Sequence, residues 1–212
     1  MVVLRSDFAS LFYSLLFSVL LAVLAAPSSA LGQDETLFGD VESSGGYGAP
    51  TVALTSVHGK AAVLGGGQGG WIINRQFVIG AAGRGLATLP DANIVTIPEL
   101  EVDPQIQLGY GGFLFEYIGA PSRLVHYGAE LVVGGGSAQL VSANFEPRDD
   151  DIIDRTGVFA GEIGARVEIN LTTYARLGLS GGYRLISGSD LLGVSDRDLS
   201  APYGQLSIRF GS

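Results

Sequence analysis

The sequence predicts an all-β fold: an eight-stranded antiparallel up-and-down transmembrane β-barrel, preceded by a signal peptide. Three observations predict it. Charged and large aliphatic residues alternate with a period of two along Gly-rich segments. The connections between those segments alternate between short and long. The composition suits a chain only partly surrounded by water. The stretch AGEIGARVEINL (160–171) shows the alternation: Glu162, Arg166 and Glu168 share one parity, Ile163, Val167, Ile169 and Leu171 the other. Successive strand residues point to opposite faces. Alternation leaves two readings open. In a soluble sheet the apolar face meets a core and the charges meet water; in a membrane barrel the apolar face meets lipid and the charges a lumen.

The elements follow in chain order. Residues 1–30 hold one basic residue, Arg5, an apolar run from Phe8 to Ala26, and the small-residue stretch APSSALG, with Ser28 and Ala30 before the expected cut. This is the layout of a signal peptide; an uncleaved helix is the alternative, since the run is long enough to span. Residues 31–49 read as a flexible lead-in, and 50–212 as the barrel domain. Strands are expected at 50–58, 60–73, 76–86, 105–118, 123–136, 157–171, 174–187 and 201–210, bounded by turn residues. Tight connections fall at 73–77, 119–123 and 171–174. Long ones fall at 87–104, 141–156 and 188–200, and the first hairpin turns at HGK (58–60). Short turns at one end and long loops at the other are the rhythm of an up-and-down membrane barrel. A soluble barrel of the lipocalin kind is the competing architecture.

Composition narrows the choice. The chain has 32 glycines, no cysteine, one lysine (Lys60), 16% charged residues and a formal net charge of -9. An exported chain without disulfides must hold together by burial and hydrogen bonds. After Ala30 no apolar run is long enough for a further membrane helix, so entry into lipid requires a closed barrel. The acidic balance excludes a nucleic-acid partner, which needs basic patches.

The polar faces gather Arg84, Glu116, Glu130, Glu162, Arg166, Glu168, Arg176, Arg184 and Arg209. Every cation in the set is arginine, whose planar fork suits paired, partly buried carboxylates. They are expected to form a lumen charge network. The opposite faces carry Phe113, Phe115, Tyr117, Leu131, Val167, Leu179, Leu206 and Ile208, without charge. Trp71, Phe77, Tyr117 and Tyr174 lie by the tight turns and Tyr110 nearer the other end, as interfacial aromatic girdles would.

Together these features resemble the small eight-stranded outer-membrane barrels of Gram-negative bacteria, such as the transmembrane domain of outer-membrane protein A. The terminal LSIRFGS is similar to their last strand, except that Gly211 and Ser212 follow the aromatic Phe210. GGYGAP (45–50) and GGGQGGWIINRQFVIG (65–80) also resemble a group of uncharacterised secreted Gram-negative barrel-like proteins. The resemblance implies location in the cell outer membrane, with outer-membrane lipid and the barrel assembly machinery as partners. It is nearly silent on activity.

Eight strands enclose a bore that side chains can fill, so the expected role is structural or surface interaction, with a plugged lumen. A narrow channel or small-ligand barrel is the first alternative and a lipid-modifying enzyme the second. For the enzyme, His126 with Ser122 or Ser137 and Glu130 would have to converge. For a metal, the weak candidates are Asp149, Asp150, Asp151 and Asp154 in EPRDDDIID. That stretch lacks calcium-loop spacing and carries Arg148 and Arg155, so a solvated acidic loop is the preferred reading. GGGQGG (65–70) lacks the Lys-Ser/Thr of a phosphate loop. No cofactor is expected.

Overall fold

A computed structural model describes residues 44–88, 104–142 and 152–211. The signal peptide and most of the lead-in lie outside the described residues, as do Asp149, Asp150 and Asp151. Eight strands run β1 Ser44–Val57, β2 Lys60–Ile73, β3 Phe77–Leu86, β4 Pro104–Gly119, β5 Val125–Ser142, β6 Ile152–Asn170, β7 Ala175–Ser187 and β8 Ala201–Gly211. A single helical turn, α1 (Asp196–Leu199), precedes β8. Each strand pairs antiparallel with the next, and β8 pairs with β1, closing the barrel.

The connections follow from local backbone chemistry. His58 and Gly59 both take positive φ (50° and 73°) between the paired Val57 and Lys60. This is the two-residue turn whose twist matches that of the flanking strands. At the opposite end Asn74 and Arg75 also take positive φ (51° and 61°). Both chain ends of the barrel lie at this second end, where Ser44 pairs with Ile73 and Gly211 with Tyr47.

Two boundaries differ from expectation. Residues 44–49, expected in the lead-in, are strand, because β2 continues to Ile73 and supplies backbone partners for them. The connection expected over 141–156 is shorter, since β5 reaches Ser142 and β6 begins at Ile152. Pairing of Leu140 with Asp154 draws both strands outward.

Inward glycines set the curvature. A Cβ on Gly80 would stand 2.0 Å from the backbone oxygen of Gly69, and one on Gly134 2.1 Å from that of Gly111. On outward Gly48 and Gly204 a Cβ would meet nothing within 4 Å. Neighbouring strands therefore approach most closely on the concave side, at positions where only hydrogen fits.

Inside, the long-loop end is apolar. Val57, Leu64, Ile106, Leu108, Leu140 and Ile186 pack with Leu191, Val194 and Leu199 from the β7–β8 connection. That connection is fastened down: Arg184 Nε donates to Leu199 O (2.9 Å), His58 N to Asp198 O (2.7 Å) and Leu192 N to Asp154 Oδ2 (3.0 Å).

Candidate functional site: the charged barrel interior

Parity along the strands decides what enters the bore. On β8, Tyr203, Gln205, Ser207 and Arg209 are buried, while Leu206, Ile208 and Phe210 between them are exposed. On β6, Glu162, Arg166 and Glu168 are buried, while Ile163, Val167 and Ile169 are exposed. On β4 and β5, Glu116, His126 and Glu130 point in and Phe113, Phe115, Tyr117, Tyr127 and Leu131 point out. The outer surface carries side chains as exposed as Phe113 (70%) and Leu179 (65%), while Arg184 is fully buried (0%). The barrel is apolar outside and ionic inside.

Glu116 is the hub. Its Oε1 accepts from Tyr47 Oη (2.7 Å), Arg166 Nη1 (2.8 Å) and Gln68 Nε2 (3.0 Å), and its Oε2 from Arg209 Nη2 (2.8 Å). The Arg209 guanidinium also lies 3.7 Å from the centroid of the Tyr47 ring, within cation–π range. Arg166 reaches Glu130 Oε2 (3.4 Å) and Glu168 Oε1 (3.3 Å), and Arg209 Nε reaches Glu168 Oε1 (3.2 Å). Tyr203 Oη donates to Glu130 (3.1 Å).

A second cluster lies toward the long loops. Arg84 Nε donates to Glu162 Oε2 (2.8 Å), and Tyr110 Oη donates to Glu162 Oε1. Gln68 joins the clusters: its amide nitrogen donates to Glu116 while its oxygen accepts from Arg84 Nη2 (3.2 Å). A carboxylate holding several charge-assisted bonds in a buried site is strongly committed to them, and each partner left alone there would be costly.

The structure thus brings together Arg84, Glu116, Glu130, Glu162, Arg166, Glu168 and Arg209. Arg184 is inside but serves backbone carbonyls, Leu199 O and Ser56 O (3.0 Å for the latter), rather than carboxylates. Arg176 is not in the network. It stands half-buried at the tight-turn mouth, because it is the second residue of β7 and projects near the rim. Tyr110 is corrected as well: it is buried in the bore rather than exposed in an outer girdle. It shares the parity of Glu116 on β4, which was the available signal. Tyr47 carried no such signal while its segment read as lead-in.

Among the described residues the other candidate chemistries do not assemble. His126 Nε2 faces Asn170 Oδ1 at 3.0 Å. Ser122 is exposed in the turn before β5, and Ser137 lies on the outward parity of β5, roughly 35 Å along the strand at its usual rise. Glu130 is held by Arg166 and Tyr203. Asp154 accepts from the backbone nitrogens of Arg155 (2.8 Å) and Leu192 (3.0 Å). Among the described residues no group of His, Cys, Asp or Glu is placed to hold a metal ion.

No protein-family model and no curated protein matches the sequence. Among solved structures, the chain is similar to Neisserial surface protein A at 13% identity, over 79% of this chain and 95% of that one, with a TM-score of 0.49. It is also similar to Ail, the attachment invasion locus protein of Yersinia pestis, at 10% identity, over 80% and 98% of the two chains, with a TM-score of 0.46. A third likeness is to the outer membrane protein OprG from Pseudomonas aeruginosa, at 10% identity, over 80% and 95%, with a TM-score of 0.41.

Proposed function

We propose that this protein resides in the outer membrane of a Gram-negative cell as a sealed barrel, with a structural or surface-interaction role carried by its long-loop end. The observation that carries the reading is the inversion of its faces. Soluble monomers rarely expose contiguous apolar patches beyond a few hundred Å². Here large apolar side chains cover the outside of strand after strand, while carboxylates and guanidiniums fill the inside. Lipid is the solvent such an exterior requires, and closure leaves no unpaired sheet edge within it. Exposed Trp71, Phe77, Tyr117 and Tyr174 near the tight turns suit a headgroup boundary. On this reading the tight turns face the periplasm, and outer-membrane lipid and the barrel assembly machinery are the partners that the resemblance implies. The apolar plug of Leu191, Val194 and Leu199 supports a closed outer end.

One observation favours a narrow path as the second reading. Arg166 Nη2, Ser180 Oγ, both amide atoms of Gln205 and Arg209 Nη1 are buried without a hydrogen-bond partner. Fractionation and gel mobility test residence: the protein is expected with outer membranes, folded in cold detergent and shifted on boiling. Full solubility without detergent refutes it. Planar-bilayer recording tests sealing: silence is expected, and steady conductance altered by Glu130→Ala favours the path.

A further inference from the structure

The tight-turn mouth of the barrel holds a cavity of about 170 Å³ lined by Ile72, Arg75, Ile118, Pro121, His126, Thr173 and Arg176. On the scale of about 30 Å³ per water in the liquid, that is room for a small polyatomic ion. Its lining includes two arginines, Arg75 and Arg176. Neither Arg75 nor Arg176 makes an ion pair among the described residues. The carboxylate acting on Arg176 is Glu168, which already faces Arg166 and Arg209. Arg176 instead stands in the like-signed field of Arg209 and Arg75.

His126 supplies the second, independent observation. It is 2% exposed, and its Nδ1 has no hydrogen-bond partner. Asn170 Nδ2 donates to Arg123 O (3.2 Å), which turns Asn170 Oδ1 toward the imidazole. In the neutral ring Nε2 then carries the proton donated to Oδ1 and Nδ1 is an acceptor. Arg75 adds a third point: it occupies a left-handed backbone position (φ 61°), which favours glycine or asparagine.

We propose that this mouth binds a small phosphate-bearing anion, either free hydrogen phosphate or a phosphomonoester headgroup. Arg75 and Arg176 meet its oxygens, and Thr173 and His126 border it. Two guanidiniums match the forked acceptors of a phosphate. Ile72, Ile118 and Pro121 wall the site with apolar surface, where charge-assisted bonds are stronger than in water. The assignment depends on the barrel alone and not on what surrounds it.

The full chain folded in maltoside micelles is titrated with inorganic phosphate at constant ionic strength. Imidazole ¹⁵N–¹H spectra provide the readout, since His58 and His126 are the only histidines. A saturable shift of the His126 resonances is expected, with those of His58 unmoved. Arg75→Gln and Arg176→Gln should each weaken apparent affinity about tenfold, the loss of one charge-assisted hydrogen bond. Cold-gel mobility verifies folding, and Arg75→Gln in its exposed turn leaves the barrel intact. Saturation by inorganic phosphate identifies the free anion as ligand; saturation only by dihexanoyl phosphatidic acid identifies a headgroup. No saturable shift with either probe on folded protein overturns the proposal. So does wild-type affinity in Arg75→Gln.

Discussion

Replacing Glu116 by Gln should destabilise the barrel by about 3–5 kcal/mol, the range for breaking a buried ion pair from one side. The substitution keeps the side-chain shape and removes the charge. Arg166 Nη1 and Arg209 Nη2 each stand 2.8 Å from a different Glu116 oxygen. One of these contacts would become a donor facing a donor. Two charge-assisted bonds at roughly 1.5–3 kcal/mol each give a similar total. Arg166 keeps Glu130 and Glu168, and Arg209 keeps Glu168, so the loss should fall toward the lower end. The assay is equilibrium urea unfolding from lipid vesicles, followed by fluorescence of Trp71, the only tryptophan, and by cold-gel mobility. Arg197→Gln, on the exposed side of α1, is the reference and should stay within about 0.5 kcal/mol. In a double-mutant cycle, Glu116→Gln with Arg209→Gln should be less than additive by about 1 kcal/mol or more. A Glu116→Gln cost under about 1 kcal/mol would refute the claim that this carboxylate holds the bore together.

Three further perturbations probe other parts of the molecule. Ile163→Arg places a charge on the outward face, between Leu131 and Tyr183; in vesicles it should cost about 2–4 kcal/mol, whereas a neutral result would speak against lipid there. Gly80→Ala should destabilise by about 1–3 kcal/mol through backbone overlap, while Gly48→Ala, with open space around its Cβ, should change little; equal effects in urea titrations would remove the curvature argument. Asp198 is held below the usual aspartate range by the Ser195 hydroxyl (2.6 Å), then by the Ser195 backbone nitrogen (2.8 Å) and His58 (3.4 Å). A depressed carboxyl contributes fully above its unfolded value and loses that contribution as pH falls through its folded value. Protease cleavage within 188–200 should therefore accelerate below about pH 4, and Asp198→Asn should accelerate it at neutral pH; pH-independent cleavage of the unsubstituted chain would argue against this clasp.

Strand number, order and facing were legible because alternation is local to each strand. Glu162, Ile163, Arg166 and Val167 declare opposite faces without reference to any partner. Glycine-rich ends were less legible. Gly45, Gly46 and Gly48 carry no side chain to alternate, so only the reach of β2 to Ile73 makes them strand. Tyr110 lies among Gly109, Gly111 and Gly112, and its facing had to be counted back from Glu116. Arg176 has the parity of the network, but parity carries no information about depth along the bore.

The sequence by itself determined a closed eight-stranded sheet with charge on one side and apolar surface on the other. Periodicity and turn residues act over a few neighbours in the chain, and a single lysine, Lys60, leaves the charged faces to arginine. Only the tertiary structure decided which charges meet. Glu116 and Arg209 are 93 positions apart, and Arg84 and Glu162 are 78. Their contacts depend on strand register and on curvature set by inward glycines. The same geometry left Arg75, Arg176 and His126 together at one mouth, a grouping that no local pattern encodes.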